Sequence, residues 1–377
     1  MYWHVFELSR SEAALGAIGL ANFLPVVTLT LVGGAIADAY DRRRIMGLAQ
    51  IPYLASAALL FAATARGAIS VPLLYAAVFS NAIAFAFESP ARQAFLASLV
   101  PLADFPRAVT FSSTAIALAF ASGPALGGLL IAGAGVDAAY AAYGVLILGN
   151  LLGLAFVRPV REVGDRTPPS LRAVREGLAY VRGNPVVLGC MALDMFAVIL
   201  GGATALLPVY AKEILAVGPR GYGLLTSSLE IGALAMSLLL LVRPAIERAG
   251  PVLLAAIAVY GLATLGFGVS RSFPLSVGLY MLAGAADQVS VVLRATAVQL
   301  STPDALRGRV SAVNMIFIAA SNQLGAVESG FLAAATSATF AVVFGGIGCL
   351  CVVAFTAWWL PELRSYRIHS VERSAEA

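Results

Sequence analysis

Eleven long apolar runs constrain the fold of this chain more than any other feature. Each is close to the ~20 residues that an α-helix needs to cross the hydrocarbon core of a bilayer. Backbone polar groups find no partners in lipid, so such runs are expected to be helical, and the short alternating segments of a membrane β-barrel are absent. The sequence therefore predicts an all-α membrane protein. The runs are residues 13–37, 45–65, 71–95, 108–133, 138–157, 186–209, 222–242, 251–269, 273–295, 310–335 and 339–360.

The composition supports a lipid environment and argues against other classes. Hydrophobic residues make up 60% of the chain and charged residues 12%, whereas soluble domains average about 45–50% and about 25%. The net charge of +4 is spread over short connectors and forms no basic domain, so nucleic acid is not an expected partner. The three cysteines lie inside apolar runs, which is typical of small core residues rather than of disulfides.

Motifs for enzymatic chemistry are missing from the sequence. A P-loop needs a lysine followed by Ser or Thr, but the only lysine, Lys212, is followed by Glu213. Neither G-x-S-x-G nor H-E-x-x-H occurs. His4 and His369 lie at opposite ends of the chain, so no metal site is recognisable. We therefore expect neither an enzyme nor a bound cofactor or metal.

The longest polar connector, residues 158–185, divides the chain. Within it, Leu171, Val174, Leu178 and Val181 fall on one helical face. This pattern predicts an amphipathic helix lying at the membrane surface, with a solvated linker helix as the alternative. The expected organisation is an N-terminal bundle (1–157), this linker (158–185), a six-helix C-terminal bundle (186–360) and a tail (361–377).

The basic residues predict the orientation in the membrane. If the connector at 41–44 is cytoplasmic and the spans alternate, 19 of the 24 basic residues fall inside and five outside. Cytoplasmic loops are enriched in Lys and Arg in this way. We therefore expect a cytoplasmic C-terminus and Met1 on the outside.

The two halves of the chain repeat each other. A shift of 202 residues superposes Arg, Pro and Gly residues of the first half on the same types in the second. Such a tandem repeat is one of the repeat types of transporter folds, and it predicts two pseudo-repeated helical bundles. The superposed pairs are Arg92 with Arg294, Pro101 with Pro303, Arg107 with Arg309, Gly123 with Gly325, and Gly128 with Gly330.

The repeat also predicts an incomplete first helix. Run 186–209 opens the second half, but alignment of Gly16 with Gly223 places Met1 against Pro208, near the end of that run. Only MYWHVFEL would correspond to its outer end. We therefore expect 11 of 12 spans, with most of the first helix missing through a late start or a truncation.

A motif after the first complete span resembles a known family. In GGAIADAYDRRR, the residues Gly34, Asp38, Arg42 and Arg43 are similar to the G-x-x-x-D-x-x-x-R-[RK] loop of major facilitator transporters. The resemblance implies that Gly34 allows close helix contact and that Asp38 pairs with an arginine on a neighbouring helix as a gating latch. The alternative is a plain positively charged anchor.

A second motif resembles that of exporters and antiporters in the same superfamily. Gly123, Pro124, Gly127 and Gly128, in ASGPALGG, match its G-P-x-x-G-G core. Glycines four residues apart permit close helix packing, and the proline bends the helix. Small residues are also common in membrane helices, so ordinary packing is the alternative.

Three further stretches, at 88–101, 176–185 and 294–310, resemble the enterobactin-exporter-like branch, or transmembrane secretion effectors. The resemblance implies a monomeric twelve-span carrier in the bacterial inner membrane that exports a small amphiphilic solute, such as a siderophore or drug, using protons. An importer or uniporter on the same fold remains an alternative, because a fold does not fix direction. The second alternative is a membrane protein that does not transport and acts as a partner or sensor.

Charged residues inside the spans are the candidate functional side chains. A charge at a helix centre costs at least ~2.5 kcal/mol, so each should face protein or water. Asp287 is the first candidate for proton or substrate binding, and a structural pair with Arg294, seven residues later, is its alternative. Glu88 and Arg92, four residues apart, are expected to form a structural pair. The remaining proton or substrate candidates are Asp194, Glu230 and Glu328, together with Arg294.

Overall fold

A computed structural model describes residues 1–101, 104–157, 171–243 and 246–368. Within these ranges every regular element is a helix, and ten helices are long and apolar enough to cross a membrane. The all-α membrane class is therefore confirmed. The first half contains α1 (Tyr2–Ser9), α2 (Glu12–Ala39), α3 (Arg42–Ala65), α4 (Val71–Leu99) and α5 (Phe105–Phe156).

The second half follows the connecting helix α6 (Leu171–Gly183). It contains α7 (Pro185–Gly201), α8 (Leu207–Val209), α9 (Gly218–Val242), α10 (Ala249–Val269), α11 (Phe273–Leu300), α12 (Asp304–Ala335), α13 (Ala338–Trp359) and α14 (Pro361–Arg364). Most helix bounds lie within a few residues of the predicted runs.

Helix α5 is long because it contains two predicted runs. At 1.5 Å per residue its 52 residues would measure about 78 Å if straight, more than twice the hydrocarbon thickness. Gly135 breaks the helix with φ 94° and ψ 171°, a region open to glycine. Arg43, at the start of α3, reaches the backbone of Leu154 near the end of α5. Ser112 near the start of α5 and Gly149 near its end line the same cavity, so the chain reverses at Gly135 and the arms 105–134 and 136–156 run in opposite directions.

The predicted run 186–209 is not one continuous α-helix. Helix α7 ends at Gly201, and a 3₁₀ turn (Ala203–Leu206), α8 and a π-helical turn (Tyr210–Ile214) follow. Gly202 leaves helical geometry at φ −74° and ψ 78°. Pro208 in the next turn cannot donate a backbone hydrogen bond. A glycine pair followed by a proline thus explains the interruption.

The connecting helix α6 is fastened to the second half. Glu176 forms an ion pair with Arg309 at 2.7 Å, and the Tyr180 hydroxyl donates to the Ser301 carbonyl. Asn184 caps the next helix by accepting from the backbone N–H groups of Val186 and Val187, both at 3.1 Å. Helix α6 therefore lies within the predicted linker, and its position at the membrane surface stays a prediction. The side chains of the predicted positions Leu171 and Val174 lie outside the described set. Residues 158–170 lie outside it altogether.

Two glycine crossings join the halves, and they are equivalent in the repeat. Gly16 on α2 meets Gly330 on α12, where a Cβ at Gly16 would lie 3.2 Å from the Gly330 Cα. Gly128 on α5 meets Gly223 on α9, where a Cβ at Gly128 would lie 2.8 Å from the Gly223 Cα. Close backbone contact of this kind is how membrane helices pack.

The two ends of the molecule differ in how the halves meet. We call the end that carries Arg42–Arg44 and α6 the basic end, and the other the opposite end. At the opposite end one buried cluster contains residues of both halves, such as Phe6, Leu60, Tyr210 and Phe267. At the basic end the second half has its own cluster, from Val181 to Leu363, and the first half has a separate small one. The described halves therefore share a buried cluster at the opposite end and have separate buried clusters at the basic end.

Candidate functional site

A buried ion pair lies inside the second half. Arg294 on α11 contacts the carboxylate of Asp194 on α7, and their side chains are only 7% and 9% exposed. The Arg294 guanidinium also donates to the Ser290 hydroxyl, one turn earlier, at 3.4 Å. Charges in a low-dielectric interior persist when they are paired and hydrogen-bonded, as these are. The pair links α7, the helix that opens the second half, to α11.

Asp287 and Glu230 lie near this pair without joining it. Asp287 on α11 interacts electrostatically with Arg294, Asp194 and Glu230. Among the described residues, Asp287 has neither a hydrogen bond nor an ion pair, and its side chain is partly buried. Glu230 on α9 is likewise partly buried. Three predicted carboxylates and one arginine are thus brought together, leaving acidic groups in excess.

Two expected pairs differ from the structure. Arg294 takes Asp194 as its partner rather than Asp287, because α7 packs against α11 and presents a nearer carboxylate. No ion pair joins Glu88 and Arg92 within the part of the chain that is described. Tyr53 on α3 is instead within hydrogen-bonding reach of Glu88, and Arg92 lines a 580 Å³ cavity between α3, α4 and α5 at the basic end.

A small, partly open cavity lies between the halves, away from the basic end. Its volume is about 210 Å³, and its hydrogen-bonding side chains are Tyr2, Thr204, Asn322 and Gln323. No charged side chain lines it within the described part of the protein. Asn322 donates to the Ile318 carbonyl at 2.9 Å and keeps its own carbonyl oxygen available. The remaining lining residues are Val198, Gly202, Ala205 and Ala326.

Glu328 lies near this cavity and apart from the other acids. The Ser329 hydroxyl contacts the Glu328 carboxylate at 3.3 Å and the Gly202 carbonyl at 2.9 Å. The sequence also offers three aromatic residues of the second half as possible cavity linings, namely Phe196, Phe267 and Tyr280. In the structure, Phe196 is 47% exposed. Phe267 and Tyr280 are instead buried in an aromatic stack with Tyr210, at centroid distances of 4.6 and 5.0 Å.

Sequence reasoning missed the polar residues of the small cavity. Thr204, Asn322 and Gln323 are neutral, whereas the proton or substrate candidates predicted from the sequence were all charged residues inside the spans. A usable signal existed, because adjacent carboxamides in the middle of an apolar run are costly in lipid unless they face protein or water.

The loop motif acts through helix ends. The Arg42 guanidinium donates to the Ala37 carbonyl at 3.3 Å, near the end of α2. Arg43 donates to the Leu154 carbonyl at 2.9 Å and also to the Ala155 carbonyl, near the end of α5. A cation at a helix C-terminus satisfies free carbonyls and complements the helix dipole. The two arginines therefore tie three helix ends together at the basic end.

The other two members of that motif are Gly34 and Asp38. The Asp38 side chain is outside the described set, so its expected arginine partner stays a prediction. A close contact of α2 with α4 occurs at Gly33, beside Gly34, where an added Cβ would lie 3.1 Å from the Phe87 Cα. Asp41 instead caps α3, accepting from the Arg43 backbone N–H at 2.9 Å.

The exporter-like motif divides into two faces of α5. Gly128 packs on Gly223 of α9, and the Ala125 backbone N–H donates to the Ser227 hydroxyl at 2.9 Å. Gly123 and Gly127 instead have no atom within 4 Å of an added Cβ. The repeat partner of Gly123, Gly325, packs closely on Val198 of α7. Among the described residues the first half has no helix in the place equivalent to α7.

The Gly128→Val substitution should separate these faces experimentally. Its Cβ would overlap the Gly223 backbone, so we expect a loss of about 1–3 kcal/mol in stability. Gly127→Val is the matched control, because its side chain would enter open space. Melting temperatures in the same detergent measure the difference, and equal values for the two variants would contradict the crossing.

Comparison with known proteins agrees with this architecture. The family model described as "Transmembrane secretion effector" matches residues 1–376. The multidrug efflux pump Tap of Mycolicibacterium fortuitum is 26% identical over 98% of this chain and 92% of its own length. The enterobactin exporter EntS of Escherichia coli is 28% identical over 89% of this chain and 81% of its own.

Other similarities are partial or concern the fold alone. The staphyloferrin A transporter of Staphylococcus aureus is 25% identical over 63% of this chain, and the chain spans 60% of that relative. The crystal structure of a D-xylose–proton symporter superposes with a TM-score of 0.71 at 16% identity, over 95% of this chain and 90% of that one.

The family match covers nearly the whole chain, and the helices, the internal repeat and the structural neighbours agree with it. The protein therefore belongs to the transmembrane secretion effector family and is a multi-pass membrane transporter of the major facilitator superfamily, not an enzyme.

Proposed function

We propose that the protein exports a small amphiphilic solute, such as a siderophore or drug, across the inner membrane of a bacterium in exchange for protons. The two halves would rock about their contacts and expose a central site to each side in turn. The names of EntS and Tap support export. We expect the carrier to act as a monomer, and its C-terminus and basic end to be cytoplasmic by the positive-inside rule.

The observation that carries the proposal is the arrangement of the buried clusters. One cluster spans both halves at the opposite end, whereas each half has its own at the basic end. With the basic end cytoplasmic, separate clusters at that end would let the space between the halves open to the cytoplasm. This is the state in which an exporter loads its solute.

The small cavity is the proposed solute site. Residues of α1, α7 and α12 line it, so a bound solute would touch both halves. Its carboxamides and hydroxyls favour neutral hydrogen-bonding groups, and a volume of about 210 Å³ suits one ring-sized part of a larger solute. The space towards the basic end would hold the remainder.

Asp287 is the proposed proton site. It lies beside the Asp194–Arg294 pair but has no partner of its own among the described residues. A carboxylate without a fixed partner can take and release a proton at lower cost than one held by an arginine. Glu230 and Glu328 are the next candidates, and Asp194 serves as the anchor of Arg294.

A second candidate, a non-transporting partner or sensor, is favoured by one observation. The face of α5 around Gly123 and Gly127 has no neighbour among the described residues, and Leu118 and Leu126 are 53% and 63% exposed. A partner helix could cover that face, although lipid would also cover it.

Accumulation in cells distinguishes these functions. Cells that express the protein would be loaded with ethidium, erythromycin or a catecholate siderophore, with and without a protonophore. We expect lower accumulation of at least one compound, reversed by the protonophore. Unchanged accumulation of all three, with the protein correctly inserted, would favour the partner or sensor function.

The Asn322→Leu substitution tests the solute site. Asn322 is exposed, and loss of one ordinary hydrogen bond to a bound solute costs about 0.5–1.5 kcal/mol, so the half-saturating solute concentration should rise about two- to tenfold. Asn150→Leu, in the separate cavity at the basic end, is the matched control. Equal effects of the two variants would exclude the small cavity as the site.

A further inference from the structure

Helix α1 lies across the seam between the halves at the opposite end. On one side the His4 Nδ1 is 3.0 Å from the Tyr140 hydroxyl of α5, in the first half. On the other, the Trp3 ring lies 5.6 Å from the Tyr222 ring of α9, in the second half. Trp3 and His4 are 4% and 5% exposed. The short helix is therefore packed into both halves.

Charged residues near α1 also connect the two halves. Lys212, in the π-helical turn of the second half, lies 3.9 Å from the Glu7 carboxylate and 5.4 Å from the centre of the Trp3 ring. Its neighbour Glu213 lies 3.9 Å from Arg10. The segment of α1 and the π-helical turn thus each supply one acidic and one basic side chain to this contact. The Lys212 side chain is 18% exposed, so most of it is buried.

The backbone near these contacts turns through two left-handed conformations. Arg10 ends α1 at φ 50°, and Ala216 follows the π-helical turn at φ 52°. They are the two non-glycine residues with positive φ in the described ranges. Such conformations persist when surrounding contacts hold them, and they concentrate at switch regions. The Trp3 indole N–H is also buried without an acceptor among the described residues. Opening at this end would give the Trp3 N–H access to water as a hydrogen-bond acceptor.

We propose that α1 is a latch that holds the opposite end closed, and that Lys212 is its catch. For the halves to part at that end, Lys212 must leave both Glu7 and the Trp3 ring. Exposed ion pairs and cation–π contacts are individually weak, which suits a contact that opens in every cycle. The latch's part in transport rests on the proposed alternating access, but the closure itself does not.

Lys212 is the only lysine of the chain, so its amine is a built-in reporter. Purified protein would be treated with an N-hydroxysulfosuccinimide ester, and the label at Lys212 quantified by peptide mass spectrometry. Glu7→Gln is expected to raise the labelling rate about fivefold or more, the factor that a weak contact supplies. Glu12→Gln, on the neighbouring α2, is the matched control and should leave the rate unchanged.

A second reporter separates opening from loss of local cover. Ser227 is fully buried at the crossing of α5 and α9, 15 residues beyond Lys212. Ser227→Cys places a thiol there, and its reaction with a maleimide should also accelerate in the Glu7→Gln background. Arg10→Glu should have the same effect, and combining it with Glu213→Arg should restore slow reaction.

The outcomes decide the proposal independently of any solute. Faster reaction at both positions, with rescue by the exchanged pair, supports the latch. Faster reaction at Lys212 alone means that Glu7 only covers the amine, and no change at either position means that the contact does not hold the end closed. Either of these results would overturn the latch, whereas a lack of transport with the latch confirmed would contradict only the proposed function.

Discussion

Asp287→Asn is expected to abolish proton-driven efflux and to reduce it to the level of cells without the protein. Asparagine has nearly the same shape as aspartate but cannot bind and release a proton. Because Asp287 has no ion-pair partner among the described residues, its substitution should leave the Asp194–Arg294 pair intact. Efflux of the active compound, normalised to the amount of protein in the membrane, is the measurement.

Two controls interpret that result. Asp287→Glu keeps a carboxylate and should retain part of the efflux. Exchange of labelled for unlabelled solute, which needs no net proton movement, should survive in Asp287→Asn if the protein is folded. Unchanged efflux by Asp287→Asn, together with loss of efflux in Glu328→Gln, would indicate that the proton site is Glu328 on α12.

Arg294→Met should cause the largest loss of stability among single substitutions in the site. It leaves the buried Asp194 carboxylate without its partner, and breaking a buried pair costs about 3–5 kcal/mol. The melting temperature in detergent should fall clearly. Arg220→Met, at an exposed arginine on α9, is the matched control and should melt close to the unmodified protein.

The double substitution tests the cause. Adding Asp194→Leu to Arg294→Met removes the unpaired charge, and replacing a buried pair by apolar residues is often neutral. We therefore expect most of the melting temperature to return. A double variant as unstable as Arg294→Met alone would mean that packing, rather than charge, sets the effect.

Helix positions could be predicted from the sequence because hydropathy and length decide them. The runs beginning at 71, 251 and 273 end up in helices that begin within two residues of those positions. The repeat of Gly, Pro and Arg also located real contacts, since Gly128 and Gly330 each form a crossing between the halves. Close backbone contact at a crossing requires glycine at that position, so the requirement can be read from the sequence.

Partners of charged residues could not be predicted in the same way. Arg294 could reach Asp287 along its own helix, but it pairs with Asp194, about one hundred residues earlier in the chain. That choice depends on the rotation and depth at which α7 packs against α11. The same reason explains Glu88, whose neighbour Tyr53 lies on α3, and the buried positions of Phe267 and Tyr280.

The most direct test of the account is proton movement driven by solute in reconstituted vesicles. The purified protein would be placed in liposomes that hold a pH-sensitive dye, and the compound identified in cells would be added under a pH gradient. We expect solute-dependent proton flux that Asp287→Asn abolishes. Solute movement that proceeds at the same rate without a pH gradient and without proton flux would contradict it.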